Sequence, residues 1–301
     1  MGSHELGGRS RHGLTVFAIP KPFRDHIAVI QRNAIQSWTL LSPSVEVILF
    51  GAEEGTAEVA RELGVRHEPE VAGNEYGTPY VQDVFARAQR IARHDLLAYV
   101  NADIILMSDW MAAVQAVSAV QECFLLVGQR WDVDLDWMWR FEADWERKLS
   151  QYVLEKGQPH GVTGVDYFVF PRHVLPSMPP LLVGRPLWDN WVICQARRRR
   201  VPVVDASATA MAVHQNHDYG HVPGQKGPKW SGPEADHNAR LVHPYTYLFT
   251  LDGADLMLRE GGLRPAHALR HLRQRINVWL SFRFPVLRSR LRSLLDAVGQ
   301  R

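Results

Sequence analysis

Apolar runs of strand length alternate with stretches of helical spacing over the first half of the chain. Leu14 to Ile19 is apolar and ends at Pro20, Lys21 and Pro22, which predicts a strand followed by a loop. From Asp25 to Trp38 the apolar positions Ile27, Ile30, Ala34, Ile35 and Trp38 fall on one helix face, with Asp25 as candidate N-cap. Val45 to Phe50 predicts a second strand, and Glu53 to Leu63 predicts a second helix closed by Gly64. A helix from Thr78 and Pro79 to about Arg93 follows the loop Asn74-Glu75-Tyr76-Gly77, and the apolar run Leu96 to Val100 ends at Asn101-Ala102-Asp103. Ser108 or Asp109 caps a further predicted helix to about Val120, and Phe124 to Val127 reads as a strand. Strands and helices alternating at this spacing predict a parallel sheet wound right-handedly, a nucleotide-binding type of half-domain.

Beyond residue 127 the periodicity loosens and polar clusters take over. Arg130-Trp131-Asp132-Val133-Asp134-Leu135-Asp136-Trp137-Met138-Trp139 alternates acids with tryptophans ahead of a predicted helix to about Glu155. Loop solubility and core packing account for such residues; a sugar-binding wall, with carboxylates on hydroxyls and indoles on ring faces, is the functional alternative. A glycine-bearing turn, Gly161-Val162-Thr163-Gly164-Val165-Asp166, leads into the apolar strand Tyr167 to Phe170. Leu187-Trp188-Asp189 opens a helix that ends in Arg197 to Arg200, so Asp189 is either an N-terminal helix acid or a reactive carboxylate. Val201 to Asp205 and Thr209 to Val213 are strand-like, and the second delivers His214, His217 and His221. Pro223 to Asn238, rich in Gly, Pro and Lys, predicts a loop over a site.

Two of these stretches concentrate chemistry. A carboxylate at the end of a buried strand, such as Asp103, stands where α/β sheets bind ligands, although Asn and Asp also end strands simply to make turns. Three imidazoles within eight residues after a strand suit a transition metal, provided that other ligands complete the geometry.

The 301-residue chain is 46% hydrophobic and 22% charged, an ordinary globular composition. Cys123 and Cys194 lie in apolar surroundings without metal-ligand spacing, which predicts two buried free thiols in a reducing compartment. No run of eighteen apolar residues occurs, and Met1 to Gly13 reads as a flexible tail or tag remnant without a signal-peptide stretch. The net charge of +2 conceals an asymmetry: from Arg264 onward there are nine arginines against Asp296 alone, a segment of +8 on a body of −6. In that segment Leu269, Leu272, Ile276, Trp279 and Leu280 share a helical stripe, and Pro285 interrupts the pattern. The stripe either packs on the body with its arginines in water or rests on an anionic membrane surface. The absence of G-x-G-x-x-G after the first strand argues against a dinucleotide oxidoreductase, and a terminal basic helix without a reading module argues against nucleic acid as partner.

Taken in order, these stretches resemble the nucleotide-sugar glycosyltransferases of GT-A fold over roughly residues 14 to 240. Asn101-Ala102-Asp103 resembles the family's Asp-x-Asp metal motif, with Asn101 in place of the first acid. Gly164-Val165-Asp166-Tyr167-Phe168 resembles its acceptor-side glycine loop. Leu187-Trp188-Asp189 resembles its x-Glu-Asp motif, with Trp188 in place of Glu, and His214 or His217 matches its C-terminal metal histidine. Asn74 and Gly77 resemble the loop ahead of the metal motif.

The resemblance implies a Rossmann-like α/β fold with a mostly parallel central sheet flanked by helices, plus a C-terminal basic helical extension. Residues 14–260 would form the catalytic domain, with a donor half at 14–130 and an acceptor half at 131–260, and 261–301 the tail. It implies transfer of a hexosyl or related sugar from a nucleotide-diphosphate sugar to a carbohydrate, lipid-linked or other hydroxyl acceptor, in polysaccharide or glycoconjugate biosynthesis. Mn2+ or Mg2+ would be held by Asp103 with His214 or His217, the imidazole favouring Mn2+. Pro20, Lys21, Asn74, Gly77, Asn101 and Asp103 would meet the donor, and Arg130, Trp131, Asp132, Gly164, Asp166 and Trp188 the acceptor. Asp189 would be the general base if the reaction inverts the anomeric centre, and would only orient the acceptor if it retains configuration. The expected location is cytoplasmic, peripheral on the inner face of a membrane. Two other functions fit the same residues: a phosphoester hydrolase using His214, His217 and His221, and a non-catalytic nucleotide- or carbohydrate-binding module.

Overall fold

The computed structural model describes residues 10–217 and 231–284. Its elements in chain order begin β1 (Ser10–Ala18), α1 (Asp25–Thr39), β2 (Val45–Phe50), α2 (Thr56–Glu62), β3 (Arg66–Glu68), α3 (Val81–Ile91) and β4 (His94–Val100). They continue with β5 (Ile104–Ile105), α4 (Ser108–Ser118), β6 (Leu125–Val127), β7 (Arg130–Val133), α5 (Trp145–Lys156), β8 (Gln158–Pro159) and β9 (Tyr167–Pro171). The last are α6 (Trp188–Arg198), β10 (Val203–Asp205), β11 (Ala212–Gln215), α7 (Pro233–Leu241), β12 (Leu256–Arg259), β13 (Gly262–Pro265) and α8 (Leu269–Arg283).

Nine strands form one sheet in the order β13-β12-β10-β6-β9-β4-β1-β2-β3. Its pairs are parallel except where β9 lies between β4 and β6 and where β13 closes on β12. This is the mostly parallel, helix-flanked, Rossmann-like sheet that the alternation of strand and helix predicts. Side-chain alternation fills both faces. Leu14, Val16 and Ala18 join Ala34, Ile35, Trp38 and Trp110 in one core layer. Phe17, Leu97, Tyr99, Phe168 and Phe170 join Val84, Phe85 and Val192 in the other. There Phe17 meets Phe85 edge-on at 5.2 Å and Phe85 stacks on Phe170 at 5.7 Å, geometries that aromatic quadrupoles favour.

A second sheet, β5-β11-β7-β8, stands at the end of the first. Chain reversal at Asn101-Ala102-Asp103 turns the chain from β4 of the large sheet into β5 of the small one. In the small sheet β11 runs parallel to β7, which registers His214 beside Asp132 and Ala212 beside Arg130. Its apolar face, with Ile105, Val133 and Val213, packs on Trp145, Leu149 and Val153 of α5 as a third core.

Several elements differ from expectation. The first strand starts at Ser10, so residues 10–13, expected in the tail, pair in the sheet. The third helix begins at Val81 because Gly73 and Tyr80 form bridges with Pro79 and Leu182. Residues 233–241, within or beside the expected loop, are helical, with Pro at the helix start; residues 223–230 lie outside the described residues. Cys123 is exposed and only Cys194 is buried. The boundary at 260/261 falls inside the β12–β13 hairpin, which extends the large sheet. Helix α8 turns His271 and Ser281 inward and leaves Leu269, Leu272, Ile276 and Trp279 of the expected stripe exposed, with Leu280 half-buried. Pro285 and the arginines after it lie outside the described residues.

Candidate active site and metal centre

Asp103 is delivered by the turn between β4 and β5, and His214 by β11. His217 lies just beyond β11, where Asn216 N–H donates to Val133 O at 2.9 Å. One ligand atom from each of these three residues lies within 4.8 Å of the others. His217 Nε2 stands 3.1 Å from Asp103 Oδ2 and His214 Nε2 stands 4.0 Å from it, with the three side chains largely buried. The structure therefore brings both candidate histidines to Asp103. His221 lies outside the described residues.

The donor set suits a divalent cation. Asp103 Oδ1 is buried and accepts no hydrogen bond among the described residues, an arrangement costly for a carboxylate unless a cation completes it. One carboxylate and two imidazoles are ligands shared by first-row transition ions. Burial works against charge on Asp103, but His217, His214 and Lys21 outweigh it and hold the carboxyl well below its ordinary range. The site thus keeps the ionised form that a cation needs.

His214 is oriented from behind. Its Nδ1 stands 3.0 Å from Asp132 Oδ1, a close electrostatic contact without hydrogen-bond geometry, which leaves Nε2 on the Asp103 side. The other oxygen of Asp132 meets His160 Nδ1 at 2.5 Å, and Arg130 Nε donates to Asp132 Oδ1 at 2.8 Å. Arg130 also donates through Nη1 to Asp166 Oδ2 at 2.9 Å, while Asn101 N–H donates to Asp166 O at 2.9 Å. Asn101 thus serves as a link between the turn and Asp166. Burial opposes the charge of Asp132, yet His214, His160 and Arg130 hold its carboxyl well below the usual range. Gly164 has a concrete reason: a Cβ there would stand 2.3 Å from the His160 ring.

Lys21 enters from the loop after β1, behind the buried Pro20, with its backbone clamped by Gln31 at 2.7 and 2.8 Å. Its Nζ stands 3.4 Å from His217 Nε2. Burial lowers its pKa, and the charges of Asp103 and Asp166 oppose that shift. Asp189 sits in the first turn of α6, whose preceding residue Leu187 has a left-handed φ of +82°. Such a φ costs about 1–2 kcal/mol for a residue with a Cβ, so the strain marks an enforced entry to the helix. Burial first, with the charge of Asp166, pushes the Asp189 carboxyl up to about 6 despite bonds to its own and Asn190 backbone N–H. Lys21, Asp103, Asp166 and Asp189 therefore share one electrostatic neighbourhood.

Other expected site residues are placed differently. Strand alternation sends Trp131 to the face of β7 opposite Arg130 and Asp132, where it packs, partly buried, on the third core. Trp139 packs there too, and exposed Trp137 lies edge-on to Tyr152 at 5.7 Å, which removes the Asp/Trp wall as a single surface. Trp188 is 6% exposed in the aromatic core, 5.1 Å from Tyr99, and offers no open stacking face. Asn74 and Gly77 (φ +81°) form a turn in which Asn74 accepts from Thr78 N–H at 2.9 Å and donates to Glu234 at 2.8 Å. Arg185 donates to the same Glu234 at 2.9 Å, so this turn fastens α7 to the segment before α6.

His160 is the site residue that the sequence does not single out. Two buried amides are likewise silent: Asn33 donates to Gln215 at 2.9 Å, and Gln215 Nε2 donates to Asp103 O at 3.1 Å, tying the Asp103 turn to α1 and β11. Only Gly164, a glycine beside a predicted strand, signals a close approach at this end.

No protein-family model and no curated protein matches the sequence. Among solved structures, glucosyl-3-phosphoglycerate synthase from Mycobacterium tuberculosis, in complex with Mn2+, uridine diphosphate and phosphoglyceric acid, aligns at 15% identity. That match covers 69% of this chain and 72% of the other, with a TM-score of 0.43. S. aureus TarS 1-349 in complex with UDP-GlcNAc aligns at 10% identity over 40% of this chain and 35% of that one, with a TM-score of 0.32. The chain spans little more than a third of the length of the TarS 1-349 chain.

Proposed function

We propose that this chain is a metal-dependent glycosyltransferase that moves a sugar from a nucleotide-diphosphate sugar to an acceptor hydroxyl. The observation that carries the reading is the buried Asp103, its Oδ1 without a partner among the described residues, grouped with His214 and His217 at the end of a parallel strand. Asp103, His214 and His217 would hold Mn2+ or Mg2+, and the two imidazoles favour Mn2+. Bound there, the ion would supply Lewis-acid stabilisation of charge developing on the nucleotide-diphosphate leaving group.

The chain's own residues do the rest. Lys21 adds a positive charge beside the same carboxylate, suited to a phosphate oxygen. Arg130 fixes Asp132 and Asp166, so that His214 is aimed and the Asn101 turn is held. Asp189, poised with a pKa of about 6, is ionised at neutral pH and can accept the proton of the acceptor hydroxyl in an inverting reaction. Residues 14–130 would bind the donor and 131–260 the acceptor. The transferred group we assign is a hexosyl or related sugar. No helix among the described residues is long and apolar enough to cross a membrane.

Thermal shift with UDP-, GDP-, dTDP- and CDP-sugars, with and without Mn2+, tests this reading. Stabilisation by one nucleotide class that depends on Mn2+ is the expected result. Equal melting temperatures throughout the panel would overturn it, and release of phosphate from a simple phosphoester would favour the hydrolase instead.

A further inference from the structure

Helix α8 is built the wrong way round for a helix that merely caps the sheet. It buries His271, whose Nδ1 lies 3.0 Å from Asp252 O, and Ser281, which bonds back to Asn277 O at 2.5 Å. Outward it shows Leu269 at 78% exposure, Leu272 at 53%, Ile276 at 49% and Trp279 at 58%, with Phe282 and Phe284 also exposed. At 100° per residue, Leu269, Leu272, Ile276 and Trp279 form one stripe, and Arg273 and Arg283 stand on the same side of the helix. The helix has no acidic residue. Near its C-terminal half, Val278 and Phe282 share a cleft with Arg198, the start of the exposed run Arg198–Arg200 at the end of α6. Exposed arginines therefore flank the C-terminal half of the helix.

An apolar stripe of this size on a water-soluble surface marks an interaction site, and the charges around it select the occupant. A second copy of the chain would set one arginine-bearing face, without a single acid on the helix, against another. The following segment, residues 285–301, carries Arg288, Arg290, Arg292 and Arg301 against Asp296, a charge of the same sign as the helix's arginines. Anionic lipid headgroups match the arginines, and the acyl boundary beneath them accepts Leu, Ile, Trp and Phe. We infer that the outer face of α8, with Arg198 to Arg200 beside it, docks on an anionic lipid bilayer and holds the catalytic domain at its surface. This surface goes beyond the proposed reaction and does not depend on it.

The test uses the full chain and vesicles of phosphatidylcholine alone or with about one-third phosphatidylglycerol. Wild type should co-sediment with the anionic vesicles, weakly with neutral ones, and lose binding in high salt. The double substitution Leu272→Glu with Trp279→Glu, at positions already exposed, should lower anionic-vesicle binding by about tenfold or more while leaving the melting temperature unchanged. Arg273→Ala with Arg283→Ala should reduce the preference for anionic over neutral vesicles. The inference fails if the glutamate variant binds like wild type, or if wild type ignores both vesicles. It also fails if only a chain ending at Phe284 binds, since residues 285–301 then cover the stripe, or if the variant abolishes a concentration-dependent dimer and nothing else.

Discussion

The nine-stranded sheet is lined with apolar side chains on both faces, whereas the four-stranded sheet packs Trp131, Val133 and Val213 on one face and turns Arg130, Asp132 and His214 to the other. The first arrangement gives a stiff slab whose strand ends can be used but whose strand interiors are inert. The second gives a small plate on which charged side chains are fixed by ladder register, each next to its electrostatic partner. Stability and chemistry are thus separated between the sheets, and Asp103 stands at the junction because its turn leaves one sheet for the other.

Substitutions should respect that separation. The largest effect is expected from Asp103→Asn, which keeps the shape but removes the ionised ligand. Metal affinity measured by calorimetry should fall by more than about a hundredfold, beyond the range for residues that only orient a ligand. Unchanged affinity would show that the junction is a turn and nothing more. Asp189→Asn should slow transfer by about 10²–10⁴ while leaving metal and nucleotide binding intact, the signature of a lost general base. The wild-type rate should decline as pH falls through about 6, because protonation removes the base, and the variant should lack that limb.

In the slab, Phe85→Ala should cost about 3–5 kcal/mol in chemical denaturation, with metal affinity of the folded protein preserved. Loss of metal affinity without loss of stability in that variant would erase the contrast between the sheets. Asp132→Asn sharpens it from the other side. Metal affinity should drop about 10–100-fold with little change in stability, because an amide holds the His214 ring less firmly than a carboxylate.

The same contrast decides what could be read in the sequence. Strands β1, β2, β4 and β9 are dense apolar runs, and the helices between the first three repeat apolar residues at helical spacing, so their existence follows from periodicity. Asp103, His214, His217 and Asp189 are visible because each stands where a regular element starts or stops. Arg130–Val133 reads as an acid-rich loop, because a four-residue strand with one polar face has too few apolar positions to register. Its tryptophans suggest a stacking wall until pairing with β11 and β8 shows which face each occupies. His160, Asn33 and Gln215 act through contacts across long stretches of chain, which no local pattern encodes. The stripe on α8 is visible as a stripe, but the direction it faces depends on what lies beneath.

One contact has a consequence for how the protein is made. Lys21 and His217 approach each other across 196 positions of chain, and Asp103 meets His217 across 114. During synthesis the apolar strands from β1 to β4 can pair as soon as they emerge, yet the ligand set stays incomplete until residue 217 has followed. Closure over such separations is slow, and a ligand that needs it reports long-range docking rather than local order. Metal uptake would then come only after synthesis has passed residue 217: shorter nascent fragments that already possess a sheet would still be unable to retain the ion.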